Sequence, residues 1–214
     1  MLHLAGPAPW CRQPSASNND YLSEAVSEQA SKQPVKDIVL RLAKPEDALC
    51  LSVLAMQVFL DTYATQGIRP QIAREVLSSY SEVSFAEALA SKRSCIALAT
   101  SAEHLVGFAQ VTSGATHDRA PPGSQAELLR LYVQEHFTGM KVGTKLLRWA
   151  EHAALVAGAT VLWLTPWVHN HRALAFYARR GYADHGLTHF TFEGEVHENR
   201  VMARRLTPCS TGVM

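Results

Sequence analysis

Cysteine is scarce and scattered in this chain. Cys11, Cys50, Cys95 and Cys209 are four residues in 214, with no Cys-x-x-Cys pair among them. A disulfide framework and a zinc ribbon are therefore not expected. An excess of one charge is missing as well: 20 Lys and Arg against 19 Asp and Glu leave +1. Binding that relies on neutralising nucleic-acid phosphates needs a basic surplus, so a nucleic-acid partner is not expected. No apolar run approaches the roughly 20 residues that cross a bilayer, and no membrane partner is expected. The first residues lack a charged segment followed by an apolar stretch, so no secretory leader is read and a cytoplasmic location is the expectation. What is present is core-forming material. Hydrophobic residues make up 47% of the chain, which excludes wholesale disorder.

Residues 1–36 carry Pro7, Pro9 and Pro14 and polar runs without a sustained apolar period. They read as a disordered arm, and 207–214 as a short tail, leaving 37–206 as the folded domain. Ile38–Ala43 reads as a first strand. Lys44-Pro45-Glu46-Asp47 reads as a helix start, with Pro early and acids in the first turn; the helix runs to about Tyr63. A second helical region spans Gln71–Ser91, interrupted near Ser81. Cys95–Thr100 and Leu105–Ser113 form a hairpin, and Glu127–Val133 a fourth strand. A turn over His136–Gly143 feeds a helix to Ala157, which Gly158 ends. Val161–Thr165 is a fifth strand, His171–Arg180 a helix opened by Asn170, and Leu187–Phe192 and Arg200–Leu206 the last strands. Strands with interspersed helices indicate an α/β or α+β fold.

The segment from Leu131 through Leu147 carries the most chemistry. A buried strand feeds a tight turn, and the turn feeds a helix whose first N–H groups are unpaired and sit at the positive dipole end. That arrangement cradles an anionic phosphate. Gly139 and Gly143 allow close approach, and Lys141 and Lys145 add charge. An ordinary strand–turn–helix junction has the same outline. Gly-x-Gly-x-x-Gly and Gly-Lys-Ser/Thr are both absent, so neither a dinucleotide nor a nucleoside-triphosphate loop is read.

Together with Val168-His169-Asn170-His171-Arg172-Ala173-Leu174-Ala175-Phe176-Tyr177-Ala178-Arg179-Arg180-Gly181-Tyr182, this segment resembles the GNAT superfamily of acyl-CoA-dependent N-acyltransferases. The family carries a Gln/Arg-x-x-Gly-x-Gly/Ala turn and, roughly thirty residues later, an Asn-x-x-Ala-x-x-Phe/Tyr-Tyr helix ending in Gly-Phe/Tyr. Thr138 stands where the family has Gln or Arg, and Lys141 where it has the first Gly; Val142 and Gly143 are retained. The resemblance spans essentially all of 37–206. It implies a central mixed, mostly antiparallel sheet, splayed between strands 4 and 5 and flanked by helices.

It also implies acetyl-CoA as cosubstrate, without a metal. Leu131, Tyr132 and Val133 would hold the pantetheine arm through their backbone. Thr138, Gly139, Met140, Lys141, Val142, Gly143 and Thr144 would hold the pyrophosphate, and Asn170 would hydrogen-bond the arm. Tyr177 would stand near the sulfur as a proton donor to the departing thiolate, its alternative being a core aromatic. The general base is open. Many family members place Glu five residues before the motif Asn, where this chain has Thr165. Glu127 occupies the other familiar location, about 13 Å of extended strand from Leu131. Acting from there requires ordered water or a bulge; the alternative is a carboxylate paired with Arg130 or facing solvent. His169 is a rival base, since an imidazole ordinarily titrates near neutral pH. His169-x-His171 lacks a carboxylate at ligand spacing.

For the acceptor, Phe59-Leu60-Asp61-Thr62-Tyr63 resembles the corresponding stretch of small-molecule and polyamine N-acetyltransferases. There Asp61 and Tyr63 would meet an ammonium, with Trp167 in the same cleft; packing for Phe59 and capping for Asp61 are the structural alternatives. The reading is acetyl transfer to the primary amine of a small molecule, polyamine- or amino-acid-like, in a ternary complex without an acyl-enzyme. The alternatives are a protein or peptide N-acetyltransferase and a catalytically silent acyl-CoA-binding regulator. A homodimer is one assembly open to such a chain.

Overall fold

The computed structural model describes residues 37–192 and 195–207. The arm expected over 1–36, and 208–214 of the expected tail, lie outside the described residues. Seven strands form one sheet: β1 (Ile38–Leu42), β2 (Ser94–Ser101), β3 (His104–Ser113), β4 (Gln125–Val133), β5 (Val161–Leu164), β6 (Ala183–Phe192) and β7 (Glu195–Arg205). Their spatial order is β1-β2-β3-β4-β5-β7-β6. Every neighbouring pair runs antiparallel except β4 and β5. The helices are α1 (Ala48–Tyr63), α2 (Pro70–Ser79), α3 (Glu82–Ala90), α4 (Val142–Val156) and α5 (His171–Ala178).

Strand alternation divides the core between the two faces of the sheet. On one face Ala97, Ala99, Ala109, Ala126, Leu128, Leu162 and Leu164 pack with Val142, Leu146, Leu147 and Ala150 of α4 and Tyr177 of α5. On the other, Ile96, Leu98 and Phe108 pack with Leu51, Leu54 and Ala55 of α1 and with Phe85 of α3. The helix starts follow local chemistry. Pro45 opens a 3-10 turn ahead of α1, and the Asp47 carboxylate accepts from the Lys44 N–H at 2.8 Å and from Arg41 at 2.7 Å. Ser81 Oγ accepts from the Ser84 N–H at the head of α3, which explains the interruption expected near Ser81.

Two features of the sheet shape the cleft. β4 pairs with β5 over Gln125–Glu127 and Val161–Trp163, and no further. Beyond Glu127 the two strands part, leaving one edge of Leu131–Val133 without a strand partner. The second feature is a bulge. Gln110 pairs with Arg130 while Val111 pairs with Leu128, so Leu129 is an extra residue in β4. The bulge reverses the alternation: Glu127 shares a face with Arg130 and Tyr132, opposite to Leu131 and Val133.

The last two strands are longer than the sequence suggested, starting at Ala183 and Glu195 rather than at Leu187 and Arg200. An irregularity between Asp184 and Leu187 contains Gly186 at φ +106°, and this break in alternation hides the first half of β6 from periodicity.

Candidate active site

A cavity of about 430 Å³ opens where β4 and β5 part. Its floor is Leu131, Tyr132 and Val133. One wall is the turn Thr138, Gly139, Lys141, Val142, Gly143 and Thr144; the other is Asn170, Arg172, Ala173, Phe176, Tyr177, Arg179 and Arg180 of α5 and its ends. Eleven residues expected from the sequence to bind or react thus line one space. Met140 and Glu127 do not line it.

The turn is built on two left-handed residues. Gly139 has φ +80° and Lys141, the residue capping α4, has φ +64°. The position where the family has glycine therefore keeps a glycine-like backbone while carrying a lysine, a conformation that costs a non-glycine residue roughly 1–2 kcal/mol. No side chain caps α4, and its first turn contains no acid. Its leading N–H groups thus carry no side-chain cap. A Cβ built on Gly143 would lie 3.5 Å from the Phe176 ring and 3.9 Å from Val133, standing in the cradle.

On the opposite wall, Asn170 Oδ1 accepts from the Ala173 N–H at 3.0 Å, capping α5. That bond fixes the amide so that Nδ2 remains to donate. Tyr177 is 7% exposed, and burial raises its pKa well above the ordinary tyrosine value, with Tyr132 and Tyr63 adding to the rise. Both Tyr63 and Tyr132 line the same cavity. Tyr132 was expected through its backbone alone; its ring also packs at 5.4 Å from Phe108, and its Oη lies 3.1 Å from Tyr80 Oη.

Glu127 pairs with Thr112 on one side and Trp163 on the other. Burial raises its pKa, and the charge of Arg130 partly opposes the rise. Arg130 itself donates to Gln110 Oε1 at 2.5 Å and lies over the rings of Tyr80 and Phe85.

A second cavity of about 350 Å³ adjoins the first, sharing Val58, Thr62, Val133, Asn170 and Arg172. Asp61, Glu135, Trp167, His169 and His171 complete its lining. The Trp167 ring lies 5.2 Å from that of Tyr63 and 4.9 Å from that of His169. Asp61, Trp167 and His169 are thus brought together, while Tyr63 faces the larger space. Phe59 packs against Tyr63 and Tyr80 at 4.6 and 5.0 Å and also lines the larger cavity.

The sequence reading overlooked the arginines. Arg172 donates to both Glu135 oxygens at 2.8 Å, joining the two sides of the cleft. Arg172 and Phe176 lie one turn apart on α5, and Arg180 follows four residues later, just beyond the end of the helix at Ala178. That spacing was the available signal.

Among the described residues the sheet forks at its one parallel pair of strands, β4 and β5, with the uncapped, acid-free start of α4 on one side of the fork. Residues 62–182 match the Acetyltransferase (GNAT) family, and the chain belongs to that family. An uncharacterised N-acetyltransferase of Mycobacterium tuberculosis is 32% identical over 143 residues, covering 64% of this chain and 86% of its own. The same fold appears in the PaiA N-acetyltransferase of Thermoplasma acidophilum, solved with coenzyme A: 22% identity, TM-score 0.64, 79% of this chain and 99% of that one. It appears too in an acetyltransferase of Salmonella typhimurium solved with acetyl-CoA: 16% identity, TM-score 0.57, 83% and 99% coverage. Among the described residues no helix is long and apolar enough to cross a membrane.

Proposed function

We propose that this protein transfers an acetyl group from acetyl-CoA to the primary amine of a small molecule, polyamine- or amino-acid-like, within a ternary complex. The observation that carries the reading is the meeting, in one cavity, of the partnerless edge of β4, the acid-free start of α4, and Asn170 and Tyr177 of α5. The coenzyme A held by the Thermoplasma protein and the acetyl-CoA held by the Salmonella protein support the choice of cosubstrate. The catalytic domain is taken to be 37–206.

Acetyl-CoA supplies the activated acyl group and the sulfur that leaves. The chain supplies everything else. The free edge of Leu131–Val133 pairs with an extended arm as a strand would. The N–H groups of Gly139–Thr144 and the Lys141 ammonium hold phosphate oxygens. Asn170 Nδ2 donates to the arm, and a β4 N–H meets the charge that develops on the carbonyl oxygen. Tyr177 presents its hydroxyl proton to the sulfur. Because burial makes that proton harder to release, the hydroxyl acts first as a hydrogen-bond donor, eased by the nearby charge of Arg180.

The acceptor enters from the smaller cavity, whose size suits a small amine. Asp61 and Trp167 meet its ammonium there. Glu127 takes the amine proton through water. Its buried setting raises its affinity for that proton, and the bulge at Leu129 turns it to the face it shares with Arg130 and Tyr132.

The test is release of free thiol from acetyl-CoA with a panel of polyamines, amino acids and peptides. Release with small amines supports the proposal. Release with peptides alone gives a protein acetyltransferase. Coenzyme A binding without turnover gives a silent acyl-CoA-binding regulator.

A further inference from the structure

Cations crowd the start of α4. Lys141 caps the helix, Lys145 and Arg148 follow within two turns, and Arg179 and Arg180 arrive from the end of α5. Positive charge at a helix N-terminus opposes the helix dipole.

Arg180 is the most constrained of these groups. Its Nη2 donates to Thr144 Oγ1 at 2.5 Å, its Nη1 donates to the Phe176 carbonyl at 2.9 Å, and its guanidinium lies 3.6 Å from the centre of the Phe176 ring. Its Nε is buried without a hydrogen-bond partner, the one such side-chain atom among the described residues. Burial first, then Arg179 and Arg148, press its pKa below the usual arginine value. Glu151 offsets this in part, but it bonds Arg204 at 2.9 Å and Tyr182 at 3.2 Å. A partly buried guanidinium that faces like charges and leaves its buried Nε unpaired costs stability in the free protein.

Lys141, Arg172, Arg179 and Arg180 line the larger cavity, and no carboxylate lines it among the described residues. We propose that Arg180 is a positioning residue for the phosphates of the cosubstrate. Through Thr144 it fixes the first turn of α4, and the diphosphate supplies the negative charge that the free site lacks. The inference rests on reading the cavity as the coenzyme A site. It goes further by giving the end of α5, outside the Thr138–Thr144 turn, a part in anion recognition, and by coupling phosphate binding to stability.

The experiment compares wild type, Arg180→Gln and Arg180→Lys by calorimetry with coenzyme A and with pantetheine, which lacks the diphosphate. Melting is then followed in inorganic pyrophosphate. Arg180→Gln is expected to weaken coenzyme A by about 10-fold or more, the size of one charge-assisted interaction, while leaving pantetheine unchanged. Arg180→Lys keeps the charge but cannot span Thr144 and Phe176 together, so it should lose only a few-fold. Pyrophosphate should raise the melting temperature of wild type more than that of Arg180→Gln. Unchanged pantetheine affinity also reports an intact cavity. Equal weakening of both ligands, or of neither, overturns the role of Arg180. A wild type that binds no coenzyme A overturns the functional reading, and this inference with it.

Discussion

The two cavities of the cleft share five lining residues and differ in charge. Among the described residues the larger carries Lys141, Arg172, Arg179 and Arg180 with no acid; the smaller carries Asp61 and Glu135 beside two histidines and Arg172. Two adjoining spaces thus differ in the charges that line them. The two arrive by different routes. The cationic side is mostly backbone geometry, a left-handed turn and an uncapped helix, with side-chain charge added around it. The acidic side is side chains alone, projected from α1, the segment after β4 and the segment before α5. Backbone N–H groups persist whatever side chain stands at Thr138 and Lys141, whereas a side-chain device changes with each substitution.

The sharpest way to break the contrast is to put an acid on the cationic side. Gly143→Glu sets a Cβ against Phe176 and Val133 and adds a negative charge to a residue that lines the larger cavity. Coenzyme A affinity should fall by about 10²-fold or more through lost space and added repulsion. The domain should stay folded, because Gly143 lies in the first turn of a helix that Leu146, Leu147 and Ala150 anchor to the sheet. Unchanged affinity by calorimetry would remove the cradle from the site.

Next in size is Tyr177, which lines the larger space and not the smaller. Tyr177→Phe retains the ring against Phe176 and Tyr182, so stability should barely move. The turnover rate should drop by about 10²-fold with coenzyme A binding intact. A normal rate would leave Tyr177 as a core aromatic.

Much of this was legible in the sequence. The helices, the hairpin and the fork fall where they were expected, since strand–turn–helix chemistry is local, and eleven of the thirteen candidate site residues line one cavity. What escaped depends on contacts between distant segments. The Arg172–Glu135 pair joins residues 37 apart, and Arg180 meets Thr144 across 36. The bulge at Leu129 exists only in register with β3, so the face taken by Glu127 was unreadable from its spacing to Leu131.

That face makes the next prediction. Glu127→Gln removes a half-buried carboxylate whose pKa is raised, mainly by that burial. A raised pKa means the folded state holds the proton more tightly than the unfolded state does. Glu127 therefore favours folding at low pH and opposes it once pH passes the unfolded value and the carboxyl ionises. The variant should melt higher than wild type at pH values above the raised titration of Glu127 and lose that advantage as pH falls below the ordinary carboxylate range. As a base, Glu127 matters most where the acceptor amine is protonated. Turnover should be depressed about 10-fold near pH 7 and recover at high pH, where free amine is abundant. A defect independent of pH would take Glu127 off the list of catalytic residues.

The smallest effect concerns the lysine that stands at a glycine's backbone angle. Lys141→Gly relieves a left-handed strain of roughly 1–2 kcal/mol, but glycine loses roughly 0.5–1 kcal/mol more backbone entropy on folding. Removing a cation from the N-terminus of α4 adds a few tenths of a kcal/mol in favour of the variant at low salt. The free protein should thus gain about 1 kcal/mol, read as a rise of a few degrees in melting temperature. Coenzyme A affinity should move the other way, falling a few-fold as one of four cavity cations is lost, and the loss should shrink with added salt. Opposite signs in the two measurements would identify Lys141 as a residue held in strain for the sake of the anion. A fall in both would mean that its side chain supports the turn, and the strain account would be withdrawn.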